Sequence, residues 1–71
     1  MIKVEYRERS RRATTEYVEF ERDKAIADGL NEAAEVYDSC LEHFLTLSKE
    51  ERREGITYTT HKYSFAFKEE E

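Results

Sequence analysis

Ile26, Leu30, Ala33, Tyr37, Leu41 and Phe44 recur every three or four positions between Lys24 and Lys49. At 3.6 residues per turn they share one side of an α-helix, which the spacing predicts over residues 24–46. Isolated helices are marginal in water, so an apolar face of this length must pack on a second layer. The rest of the chain must supply that layer, and its pattern is that of strands.

The same stretch contains no Lys or Arg, yet it carries Asp28, Glu32, Glu35, Asp38 and Glu42. Their spacings of four, three, three and four place them on the side opposite the apolar residues. Like charges at such spacings destabilise a helix by about 0.2–0.5 kcal/mol per pair, and a purely structural helix usually intersperses cations. The stripe is therefore a candidate recognition surface. It spans about 21 Å at a rise of 1.5 Å per residue. Neighbouring carboxylates one turn apart lie about 5–6 Å from each other. Successive phosphates of a nucleic-acid strand are spaced not far above that, so a basic groove built for DNA or RNA would accept the stripe. The plainer alternative is a solvated face on an acidic protein.

Residues 2–8 alternate, with Ile2, Val4 and Tyr6 on one side and Lys3, Glu5 and Arg7 on the other, as in a half-buried strand. Residues 15–21 are rich in β-branched and aromatic types and form a second expected strand. The polar run Arg9–Ala13 between them suits a hairpin loop. Asp23 is the expected N-cap of the long helix. Gly29 weakens it, with Asn31 as a second cap if the helix restarts there. Ser48 and Glu51 form a capping box for a further short turn, which Gly55 would end. Residues 56–67 are strongly β-prone, but their apolar phase shifts from Ile56 and Tyr58 to Tyr63, Phe65 and Phe67. That pattern requires either one strand with a bulge near Thr60–Lys62 or two strands with a turn there. The sum is an α+β fold in β-β-α-β order, a small antiparallel sheet packed against one long amphipathic helix. It forms a single domain over residues 1–71 with a frayed polar tail at 68–71.

A net charge of −5 opposes non-specific binding to nucleic acid or to an anionic membrane. No apolar run approaches the roughly 20 residues that span a bilayer, and the first residues lack a signal-like apolar stretch, so a cytoplasmic location is the expectation. The charge is unevenly spread. Residues 1–14 hold five basic and two acidic residues, a net +3, and the remainder holds seven and fifteen, a net −8. Arg7, Arg9, Arg11 and Arg12 therefore make a secondary candidate binding loop, able to grip phosphates or the acidic helix of a second copy. The bland reading of this loop is an exposed, solubilising turn.

Cys40 sits at the edge of the helix's apolar face and reads as a buried, inert thiol. His43 and His61 have no metal-ligand spacing around them, and no glycine-rich phosphate loop or nucleophile–base pattern occurs. The expectation is a binding module rather than an enzyme, without cofactor or metal. Its role would be to inhibit or regulate a macromolecular partner by presenting the acidic face to a basic protein surface. The sharper form is a nucleic-acid-mimicking inhibitor of the type that phages and mobile elements encode, directed at a nucleic-acid-binding protein. The alternatives are a nucleic-acid-binding module using the Arg-rich loop at residues 7–12 and a structural or assembly subunit. A homodimer is also expected, with Tyr58, Tyr63 and Phe65 contributing apolar contact from the sheet.

Overall fold

The structure, a computed structural model, describes residues 1–9 and 16–70. Strand β1 (Ile2–Glu8) is followed by β2 (Val18–Glu19), then by helices α1 (Arg22–Ala27), α2 (Asn31–Phe44) and α3 (Lys49–Glu54), and finally by β3 (Ile56–Thr59) and β4 (Tyr63–Glu69). All strands pair antiparallel in the order β2-β1-β4-β3. The α+β class holds, with α2 packed on the sheet. The expected order holds in outline: the long helix is divided at Gly29, the short turn after Ser48 is a third helical segment, and residues 56–67 form two strands.

β1 and β4 form the centre, and each puts its large apolar residues, Ile2, Val4 and Tyr6 in β1 and Tyr63, Phe65 and Phe67 in β4, on alternate positions and so on one face. They pair in full register from Ile2 opposite Glu69 to Glu8 opposite Tyr63. The pairing continues one pair beyond Ile2–Glu69, since the Glu70 N–H donates to the Met1 carbonyl at 2.8 Å and the Met1 amine donates to the Glu70 carbonyl at 2.8 Å. The expected frayed tail is therefore wrong for Lys68 and Glu69, which belong to β4. Residue 71 lies outside the described residues.

The long helix is broken at Gly29, whose φ of 83° lies in the left-handed region. The Gly29 N–H donates to the Ile26 carbonyl, and the Leu30 N–H reaches back to the Ala25 carbonyl at 2.8 Å, the paired bonds of a Schellman ending. Glycine at this position lets the chain leave α1 and re-enter a helix two residues later. The capping expectations change accordingly. Glu21, not Asp23, is the N-cap of α1, and Asp23 lies in its first turn. Leu30, not Asn31, is the N-cap of α2. The Ser48–Glu51 capping box forms as expected, with the Glu51 N–H on Ser48 Oγ and the Ser48 N–H on Glu51 Oε1, both at 3.2 Å.

The phase shift in residues 56–67 comes from a turn, not a bulge. Chain reversal at Thr60–Lys62 lets even-numbered Ile56 and Tyr58 face the same side as odd-numbered Phe65 and Phe67, which are their register partners. The Thr60 N–H donates to the Tyr63 carbonyl at 2.7 Å and the Tyr63 N–H donates to Thr60 Oγ1 at 3.0 Å, closing the turn.

The core lies between this sheet face and the helices. It contains Val4, Phe20, Ala25, Ala33, Cys40, Phe44, Tyr63, Phe65 and Phe67. Phe65 packs edge-on to Phe20 at 5.1 Å, and Phe67 packs edge-on to Phe44 at 5.4 Å. Tyr63 and Phe65 are thus spent inside one chain and are not available as contacts between copies. Ile26 departs from the expected apolar face. It belongs to α1, where Ala25 turns inward, and Ile26 is left 41% exposed. On the far side of the sheet, Tyr17 shares a hydrogen bond with the buried Ser64 at 3.1 Å while the Arg7 guanidinium lies 5.0 Å from the Tyr17 ring centroid.

Candidate acidic interface

The four carboxylates of α2 project from one side of it. Ala33, Cys40 and Phe44 are buried on the opposite side with Tyr37 and Leu41 half-buried beside them, and Glu32, Glu35, Asp38 and Glu42 are exposed. Asp28 does not join them. It caps the C-terminus of α1 beyond the helix break and lines a different groove with Val18, Glu19, Glu21 and Lys24. A straight helix would have carried all five in one row, and the Gly29 turn splits that row into four and one.

The helix has no cations of its own, but the fold brings two to it. Arg22 in α1 donates from Nε to Asp38 Oδ1 at 2.9 Å and from Nη2 to Asp38 Oδ2 at 3.1 Å, a two-pronged grip. Lys62 in the β3–β4 turn donates to Glu32 Oε2 at 3.1 Å. The bond to Asp38 raises the Arg22 pKa, and the bond to Glu32 raises that of Lys62. The expectation of an unrelieved stripe is corrected here: the cations come from elsewhere in the sequence. Among the described residues no ion pair reaches Glu35 or Glu42.

Arg22, Ile26, Asn31, Ala34, Glu35 and Asp38 line a groove between α1 and α2. An exposed aliphatic side chain thus sits beside Glu35 and the Arg22–Asp38 pair. Periodicity assigns Ile26 to the core only by extending one helix across Gly29. The glycine is the signal that this phase does not persist.

The secondary loop is partly engaged by the fold. Arg7 is half-buried in β1 over Tyr17. The Arg9 backbone N–H donates to the Lys62 carbonyl at 2.6 Å and its Nη1 donates to the Thr60 carbonyl at 3.0 Å, so Arg9 holds the β3–β4 turn. Arg11 and Arg12 lie outside the described residues, as does most of the expected hairpin loop.

Cys40 is buried, and burial pushes its thiol pKa up, away from the reactive thiolate. His43 Nδ1 and the Tyr58 hydroxyl share a hydrogen bond at 2.6 Å that ties the end of α2 to β3, whereas His61 lies exposed in the β3–β4 turn. Among the described residues no group of three His, Cys, Asp or Glu side chains is placed to hold a metal ion. No helix among them is long and apolar enough to cross a membrane. Comparison with protein-family models, curated proteins and solved structures found no match to this chain.

Proposed function

We propose that the chain is a protein-binding module that inhibits or regulates a macromolecular partner by docking the acidic face of α2 on a basic surface. The observation that carries the reading is the groove in which exposed Ile26 lies beside Glu35 and Asp38. An apolar anchor with charges around it is the usual make-up of a binding hot spot: the anchor supplies affinity and the charges supply orientation and on-rate. A nucleic-acid-binding protein is the favoured partner. Its groove is lined with cations at phosphate spacing, and Glu35 and Glu42, two turns apart on α2, can each meet one.

The test is affinity capture with two baits, the wild-type chain and Glu35→Lys/Glu42→Lys. Both positions are exposed and neither has an ion pair among the described residues, so the variant should keep its fold. Asp38 is left intact because reversing it would set a lysine against Arg22. A basic protein retained by the wild-type bait and lost by the variant supports the reading. Equal retention by both baits counts against it.

A further inference from the structure

The sheet ends on one side at β3, whose sequence is Ile-Thr-Tyr-Thr. Exposed edges normally carry a defence against pairing, such as a lysine, a proline, a bulge or an inward charge. The opposite edge is defended: β2 is two residues long and carries Glu19. β3 has no charge, no proline and no bulge in its register with β4. Hydrogen-bonding pairs alternate along an antiparallel ladder. The Thr60–Tyr63 bond fixes that alternation. Ile56 and Tyr58 therefore bond towards β4, while Thr57 and Thr59 direct their N–H and C=O groups outward. Among the described residues no strand pairs with that outward side.

We propose that β3 pairs antiparallel with β3 of a second copy, joining two four-stranded sheets into one. Three observations select a second copy. Thr57 and Thr59 are both exposed and present a two-residue repeat of unpaired groups that an identical strand, running the other way, matches. Glu54 precedes the strand and Lys62 follows it, so antiparallel pairing brings Glu54 of each copy towards the end of the other that carries Lys62. Finally, a two-fold axis normal to the sheet keeps α1 and α2 of both copies on the same face, and Ile56, 36% exposed at the edge, gains cover from the arriving strand. This surface is separate from the α1–α2 groove.

Sedimentation velocity of the full chain from micromolar to near-millimolar concentration tests the proposal, alongside amide hydrogen exchange at both ends of that range. The expected result is a concentration-dependent dimer with Thr57 and Thr59 amides protected only where the dimer forms. Thr57→Pro removes an outward N–H and no bond to β4, and Thr57→Lys puts like charges near the two-fold axis. Each should weaken association by at least about tenfold. Thr57→Lys keeps every backbone donor, so it reports even if the proline variant does not fold. A wild-type chain that stays monomeric throughout overturns the proposal. So does a dimer that forms equally well with Thr57→Lys or leaves the two amides unprotected.

Discussion

At the scale of single residues, burial decides how much each side chain matters. Phe44 is fully buried against Phe67, whereas Leu41 on the same helix is only partly covered. Phe44→Ala should therefore cost about 3–5 kcal/mol, and Leu41→Ala clearly less. Urea unfolding of both variants checks the order. Arg52 Nε donates to Glu69 Oε2 at 3.0 Å and its Nη1 donates to the Leu47 carbonyl, so one guanidinium joins α3, the preceding loop and β4. Its hydrogen bond holds the Glu69 carboxyl below its ordinary value. A depressed carboxylate pKa adds stability that is present above the unfolded-state value, about 4.3 for glutamate, and is lost as pH falls through the folded-state value. The melting temperature of wild type should accordingly exceed that of Arg52→Gln by more at pH 6 than at pH 3, a comparison that thermal melts at both pH values make directly.

At the scale of elements, the two glycines do different jobs. Both have positive φ, 83° at Gly29 and 87° at Gly55. A Cβ added at Gly29 meets nothing within 4 Å, but at Gly55 it would lie 3.0 Å from the Phe67 carbonyl oxygen. Gly29→Ala should cost the backbone term alone, about 1–2 kcal/mol. Gly55→Ala should cost more, since β3 must also shift against β4. Chemical denaturation of the two variants gives the difference.

The same elements show what the sequence could and could not reveal. β1, the α3 capping box and the buried face of α2 follow from periodicity and local capping, which depend on near neighbours. The Thr60–Lys62 turn shows in the sequence as a phase shift, but bulge and turn share that pattern until a partner strand is known. The Arg22–Asp38 and Lys62–Glu32 pairs join positions 16 and 30 residues apart, and no local rule reaches that far. Ile26 is misplaced by periodicity because a break at Gly29 restarts the helical phase, and periodicity alone does not say where a new helix begins.

At the scale of the whole molecule, a 71-residue chain has a thin core, and this one concentrates it in an aromatic cluster between α2 and the central strands. Two kinds of surface remain outside: an acidic helical face with Ile26 beside it, and a bare sheet edge at β3. The first is the proposed protein-binding surface. It is tested most directly by isothermal titration of the captured basic partner into wild type, Ile26→Ser and Glu35→Lys/Glu42→Lys at low and high salt. Both variants should bind more weakly. The loss from Ile26→Ser should persist in high salt, and the loss from charge reversal should shrink as the charges are screened. Affinities equal to wild type in both variants at low salt would contradict it.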